Sequence, residues 1–279
     1  MIYARSVILL LIVLFSWESF GVSSATAKSV ILDPLQELPS QKKNHSDPSP
    51  EFDKELNSLI HILKKEGFDI KKLLEDPRFE LYNNIADRFR KSAERKSHSL
   101  SSYKQVLGFK DKGEQIVYFL EDYQKQLDKA ESQYNISRYV IAAIIGIESD
   151  FGNNVGTYNP FNAYVSMYVE KYRQQFAKAQ IKELLEFVNR KNIDVYELKS
   201  SYAGAMAFAQ FIPYSLNKWF VGDDIFDMNN NIMSVANYLR YFKQKTNNIE
   251  TAVLRYNPSS MYKQAVMDLA QLAEKQHRN

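Results

Sequence analysis

Ser137-Arg138-Tyr139-Val140-Ile141-Ala142-Ala143-Ile144-Ile145-Gly146-Ile147-Glu148-Ser149-Asp150-Phe151-Gly152 is the stretch on which the fold turns. From Tyr139 to Ile147 no residue carries a charge, and a glutamate follows directly. Many of these side chains are β-branched, so a buried strand is one reading of the run. Its length, the paired alanines and Ser137 as an N-cap favour another, a helix buried on all sides. On that helix Ile141, Ile144, Ile145 and Glu148 share a face, because residues three, four and seven apart align. A carboxylate at the end of such a helix is partly desolvated. Desolvation disfavours the charged form and raises the pKa, which is the condition a general acid needs near neutral pH. The plainer alternative is a glutamate that marks where a core helix emerges into water.

The chain on either side is helical in pattern. Leu56, Leu59, Ile60 and Leu63 recur at helical spacing up to Gly67, and residues 114–134 place Ile116, Phe119, Leu120, Tyr123 and Leu127 on one face. Segments 172–190, 227–245 and 259–275 behave alike, and Asn229-Asn230-Asn231 reads as a helix start or loop. Strand alternation bounded by hairpin turns is absent, as are internal repeats. The expected fold class is all-α. Towards the N-terminus, Arg5, the apolar run Val7–Phe15 and the small-x-small Ala25-Thr26-Ala27 read as an export signal over residues 1–27. The apolar run is roughly half of the ~20 residues needed to span a bilayer, with an uncleaved anchor as the alternative. Residues 28–50, punctuated by Asp33-Pro34, Pro39 and Asp47-Pro48-Ser49-Pro50, read as a linker. Residues 51–279 are then one domain.

Composition removes several chemistries. The 279 residues carry 36 Lys+Arg against 33 Asp+Glu, a net +3 with pI near 8.7. That suits work beside an anionic polymer but is far from a dedicated nucleic-acid binder. There is no cysteine, which excludes disulfides, thiolate zinc sites, a Cys nucleophile and a lipid anchor on an N-terminal Cys. The four histidines (His45, His61, His98, His277) are scattered without His-x-x-x-His spacing, which argues against zinc hydrolases. Neither a Gly-x-Ser-x-Gly elbow nor a phosphate-binding Gly-x-x-x-x-Gly-Lys-Ser/Thr loop occurs. Gly222-Asp223-Asp224 is too short for a calcium loop. Carboxylate chemistry or pure binding remains, with no cofactor and no metal expected.

Two further segments bear on that choice. Ser200-Ser201-Tyr202-Ala203-Gly204-Ala205-Met206-Ala207-Phe208-Ala209-Gln210-Phe211-Ile212-Pro213 is rich in small residues, which allow close approach of another helix or a ligand. Its single amide, Gln210, is either a satisfied core group or a hydrogen bonder facing a ligand. In Ala252-Val253-Leu254-Arg255-Tyr256-Asn257-Pro258-Ser259-Ser260-Met261-Tyr262 an apolar helix end meets Asn-Pro and a new helix start. That is a helix–turn–helix corner, and its Tyr and Asn can also point together into a cleft.

Glu148-Ser149, then Gly204-Ala205-Met206-x-x-x-Gln210-Phe211-x-Pro213, then Ser234-Val235-Ala236-Asn237-Tyr238, then Tyr256-Asn257 occur in the order found in lytic transglycosylases. The chain most resembles the family B lytic murein transglycosylases, from about Phe52 to Asp268. The resemblance implies a lysozyme-like helical domain with additional N-terminal helices, whose cleft binds the glycan strands of peptidoglycan. It gives Glu148 both proton transfers: to the oxygen of the β-1,4 bond after N-acetylmuramic acid, and from the muramic C6 hydroxyl that attacks C1 to leave a 1,6-anhydro end. By position Ser201, Gln210, Tyr238, Tyr256 and Asn257 match family residues near the acid or the sugar. Tyr256 and Asn257 are expected to stabilise the reacting muramic residue, Gln210 and Ser201 to orient Glu148 or bind an acetamido group, and Met206 to wall the acid or simply pack the core. Asp150 is expected to be an exposed loop residue. Ala207 departs from the family's glycine, and Trp219–Asp227 is shorter than in calcium-binding relatives. The expected setting is periplasmic or secreted and monomeric, with residues 33–50 as a tether to cell-wall machinery. A water-using muramidase of the same fold, or a catalytically silent glycan-binding scaffold, are the alternatives.

Overall fold

A computed structural model describes residues 50–90, 97 and 99–278. The export signal and the linker up to Ser49 lie outside the described residues. Three helices lead: α1 (Pro50–Lys65), α2 (Lys71–Leu74) and α3 (Ile85–Arg90). There follow α4 (Leu100–Val106), α5 (Phe109–Asp122), α6 (Gln124–Tyr134), α7 (Arg138–Ser149), α8 (Pro160–Val169) and α9 (Gln174–Lys191). After a 3-10 turn at Val195–Glu197 come α10 (Pro213–Trp219), α11 (Met228–Thr246), α12 (Ile249–Tyr256) and α13 (Ser260–His277). Among the described residues strand pairing is limited to isolated bridges, Tyr158 with Ser200, Ser200 with Met206 and Met206 with Phe211. The fold is all-α, and none of the described helices is long and apolar enough to cross a membrane.

The apolar run around Val140 is the helix α7, not a strand. Ser137 caps it by accepting the Tyr139 N–H at 3.3 Å, and Asp150 ends it in the left-handed region, its N–H bonded to the Gly146 carbonyl. Every residue from Val140 to Ser149 is buried, because α13, α5, α11 and α6 pack around it. A helix apolar on all sides belongs at the centre of a bundle. Beyond its end the chain doubles back, and the Phe151 ring lies where a Cβ on Gly146 would stand, 2.5 Å from its Cζ. Glycine is therefore required inside this helix.

The long amphipathic stretch 114–134 is two helices. Tyr123 leaves the helical region (φ −111°, ψ 20°) and packs its ring on Phe119 at 4.8 Å, so the apolar face continues across a break in the axis. The Asn triplet is a helix start: Asp227 caps α11 by accepting the Asn230 N–H at 2.8 Å. The leading helices dock on α8 through polar contacts at its rim. Glu170, just past α8, accepts the N–H groups of Ile85 and Ala86 at 3.1 and 2.7 Å, a carboxylate at a helix N-terminus where the dipole favours it.

Candidate active site

Glu148 lies in the last turn of α7 with no exposed surface. Tyr262 of α13 donates its hydroxyl to Oε1 at 2.8 Å. That phenol is aimed by the corner before it. Asn257 Oδ1 accepts the Ser259 N–H at 3.0 Å, and Ser259 caps α13 by accepting the Tyr262 N–H at 3.2 Å. Tyr256, the last residue of α12, is buried and donates its hydroxyl to the Ala209 carbonyl at 2.6 Å. Burial, and then the neighbouring Glu148 charge, push the Tyr256 and Tyr262 phenols well above the usual tyrosine range. Both therefore remain protonated donors at any pH at which the protein works.

Residues 200–211 form the second wall. Ser201 Oγ accepts the Ala205 N–H at 3.2 Å and lies 3.3 Å from the Ala205 carbonyl, so the hydroxyl ties its own turn. Gly204, at φ +79°, has the Tyr164 ring 2.3 Å from where its Cβ would be, and the Tyr164 hydroxyl donates to its carbonyl at 3.0 Å. Met206 is fully buried and exchanges two backbone hydrogen bonds of 2.9 Å with Phe211. The turn between them holds Ala207 (φ +62°) and Gln210 (φ +48°) in the left-handed region. At Ala207 this costs on the order of 1–2 kcal/mol. Gln210 donates its amide to the Ala207 carbonyl at 2.8 Å, while its Oε1 is buried with no partner among the described residues.

Tyr238 is fully buried, with its hydroxyl donating to the Arg255 carbonyl at 2.5 Å and its ring against Trp219 (4.7 Å) and Tyr256 (4.9 Å). It braces the corner that carries Tyr256 and Asn257. Asp150 departs from the exposed loop residue expected. Its carboxylate is ion-paired with Lys112 of α5, and the two side chains are only 14% and 5% exposed. The reason is that α5 packs directly beside the C-terminal end of α7. With Asp150 so engaged, Glu148 is the only buried carboxylate among the described residues. No group of three His, Asp or Glu side chains able to hold a metal comes together among them.

Three contributors escaped sequence reasoning: Tyr262, Lys112 and Asn231. The capping serine three residues before Tyr262 was a usable signal for a side chain fixed at a helix start. Nothing in the sequence marks Lys112 as buried. Asn231 accepts the Ala209 N–H at 3.0 Å and donates to the Ile225 carbonyl at 2.7 Å, so it holds the Gln210 turn from α11.

Known proteins share this architecture. The membrane-bound lytic murein transglycosylase B of Escherichia coli (strain K12) is 29% identical over 131 residues, covering 44% of this chain; in that match the chain spans 36% of the relative's length. The soluble lytic transglycosylase SltB1 from Pseudomonas aeruginosa superposes with a TM-score of 0.72 at 22% identity, over 81% of this chain and 100% of that one. SltB3 from the same organism, solved with NAG-NAM-pentapeptide, gives 0.69 at 18%, over 81% of this chain and 80% of that one. At such identities the superpositions establish the fold, the helical fold of these transglycosylases. The family described as "Transglycosylase SLT domain" matches residues 51–250, well over half of the chain, and the chain belongs to that family.

Proposed function

We propose that the protein is a peptidoglycan lytic transglycosylase, with residues 51–279 as its catalytic domain and Glu148 as its single acid/base. The observation that carries this is one buried carboxylate, held by a phenol, at the meeting point of the 200–211 turn and the Tyr256-Asn257 corner. A relative of the same fold solved with NAG-NAM-pentapeptide supports a peptidoglycan strand as the ligand. Ordinary retaining or inverting glycosidases need two carboxylates at set separations. Here the next carboxylate along the sequence, Asp150, is bound by Lys112. A substrate that supplies its own nucleophile removes the need for a second one, since the muramic C6 hydroxyl is already close to C1. Glu148 protonates the leaving oxygen, then takes the proton of the C6 hydroxyl as it closes the 1,6-anhydro ring. This acid/base step contributes on the order of 10²–10⁴-fold.

The remaining residues act by position. The open acceptor of Gln210 fits an acetamido N–H, because a buried carbonyl left without a donor costs about 1–3 kcal/mol that a ligand recovers. Tyr256 and Asn257 shape the place of the muramic ring, Tyr238 and Ser201 hold that shape, and Met206 forms part of the apolar wall. Since Glu148 has no exposed surface, substrate entry has to part the side chains that cover it, as catalytic geometries commonly tighten only in the complex. Residues 1–27 read as an export signal and 33–50 as a tether support a setting in the cell envelope for this activity.

Mass spectrometry of the soluble products from purified peptidoglycan tests the proposal. Anhydromuropeptides from the wild type and none from Glu148→Gln are expected. Reducing-end products, heavier by one water, would make the protein a muramidase. No release by the wild type would leave a binding protein.

A further inference from the structure

α11 carries Arg240, Lys243 and Lys245 and no acidic residue along its length. Arg240 lines an open groove of about 250 Å³ together with Lys218, Trp219, Asn237, Tyr241 and Gln244, and no carboxylate lines it. Elsewhere the pattern differs: Lys104, Lys112, Arg138 and Lys182 each hold an Asp or Glu within salt-bridge distance. Among the described residues Lys218, Arg240 and Lys245 hold none and lie instead over aromatic faces, of Tyr214 (5.5 Å), Tyr134 (5.9 Å) and Tyr241 (4.5 Å). Lys218 is held first by a hydrogen bond to the Tyr214 hydroxyl; Glu183 acts on it only through its charge and is itself hydrogen-bonded to Asn217 at 2.6 Å. A hydrogen bond from Lys245, and the charges of Lys245 and Lys218, hold the Tyr241 phenol below the usual tyrosine range, a sign of positive potential at the groove. The floor is Trp219, and the Tyr238 ring lies between it and Tyr256, so the groove is separated from the candidate active site by an aromatic layer.

We propose that this groove is a second carbohydrate site, which takes one anionic sugar residue of the glycan polymer with its ring against Tyr241 and Trp219 and its carboxylate between Lys218 and Arg240. Cations and aromatic faces side by side suit such a residue, since pyranose faces pack on rings and charge-assisted bonds hold the anion. The volume is below the range of about 300–1,000 Å³ typical of small-molecule pockets, so it accommodates a single residue of a polymer and not a free oligosaccharide. The identity of that residue rests on the function proposed above: in peptidoglycan it is the muramic sugar, whose carboxylate stands on the lactyl group or on the peptide that extends it. Bound there, a strand is held at a point distinct from the one being cut.

Trp219 is the only tryptophan besides Trp17, so the full chain with Trp17→Phe reports on the groove by fluorescence. Titration with N-acetylmuramic acid is expected to change the emission with half-saturation on the order of millimolar. Lys218→Ala/Arg240→Ala, both exposed positions, is expected to weaken this about tenfold or more, with an unchanged melting temperature. N-acetylglucosamine, the neutral sugar, and inorganic phosphate at equal ionic strength are expected to leave the emission unchanged. No response to N-acetylmuramic acid, or an equal response from the double variant, would overturn the proposal. So would an equal response to the neutral sugar or to phosphate alone. None of these readings involves turnover, so failure here is distinguishable from failure of the catalytic assignment, which product masses decide.

Discussion

Replacing Lys112 by methionine tests how the end of the helix that carries Glu148 is held. Lys112 is 4% exposed, and its partner Asp150 begins a run of three residues, Asp150, Phe151 and Gly152, at φ +53°, +56° and +94°. Two non-glycine residues in that region cost on the order of 1–2 kcal/mol each, so the turn needs outside support, which the Lys112 ion pair and the Phe151 ring against Gly146 provide. Lys112→Met leaves the Asp150 carboxylate nearly buried without its cation. Breaking a buried pair costs about 3–5 kcal/mol; the lower figure suits a carboxylate with some exposure. At about 2–4 °C per kcal/mol for a domain of this size, the melting temperature falls by about 6–12 °C. Asp150→Asn, which tolerates the left-handed backbone but leaves Lys112 unpaired, is expected to cost a similar amount. Lys112→Met/Asp150→Asn leaves no unpaired charge and recovers at least half of the loss. Calorimetry of the four proteins at pH 7 checks this as a double-mutant cycle. Single variants that lose less than about 1 kcal/mol, or a double variant that sums both losses, would refute the clamp.

Other outcomes follow from the same contacts. Tyr262→Phe removes the donor to Glu148 Oε1, a bond of about 1.5–3 kcal/mol to the ionised form; the alkaline limb of kcat/KM moves to higher pH, and an unmoved limb would separate Tyr262 from the acid. Tyr164, Tyr238, Tyr256 and Tyr262 all sit well above the usual tyrosine range, chiefly through burial. Folded, they hold their protons while the unfolded chain releases them near pH 10, so stability is intact below that pH and falls above it, with a limiting slope of roughly 5 kcal/mol per pH unit; urea midpoints that stay level between pH 10 and 11 would contradict this. Gly204→Ala drives a Cβ into the Tyr164 ring at a positive φ, for a loss of about 2–4 kcal/mol readable in urea unfolding.

The helical class was legible from the helical spacing of apolar residues on either side of α7, and the centre of the bundle from the uncharged run Tyr139–Ile147, which as a helix has to be enclosed on every side. Element ends were legible where a side chain sets them, as at Ser137, Asp227 and Ser259. The break at Tyr123 was not, since the apolar face runs through it unbroken. Lys112 was not legible either: period alone gives no reason to bury a lysine, and its burial follows from where α7 ends. Of the candidate site, Glu148, Gln210, Tyr256 and Asn257 were legible, but not Tyr262, the phenol that meets Glu148, nor which side chains face one another. Tyr238 illustrates this. It closes the Ser234–Tyr238 motif and was matched to residues near the acid or the sugar, yet its hydroxyl meets a backbone carbonyl.

That arrangement has a consequence for how the site is built. Three tyrosine hydroxyls, of Tyr164, Tyr238 and Tyr256, donate to the carbonyls of Gly204, Arg255 and Ala209. The carbonyls of Gly204 and Ala209 lie in the irregular 200–211 segment and that of Arg255 in the last turn of α12, so no later helical N–H reaches any of them, and a buried acceptor left bare costs about 1–3 kcal/mol. The tyrosines thus fix the backbone of the two segments that flank Glu148, and they do so from the core, where their rings are packed and their rotamers locked. Only Tyr262 directs its hydroxyl at the carboxylate itself. A site made this way keeps its walls rigid while leaving one polar acceptor, on Gln210, open. For a reaction in which the substrate supplies the nucleophile, rigidity of the walls matters more than a second catalytic group, because the yield of ring closure depends on how closely the C6 hydroxyl is held over C1.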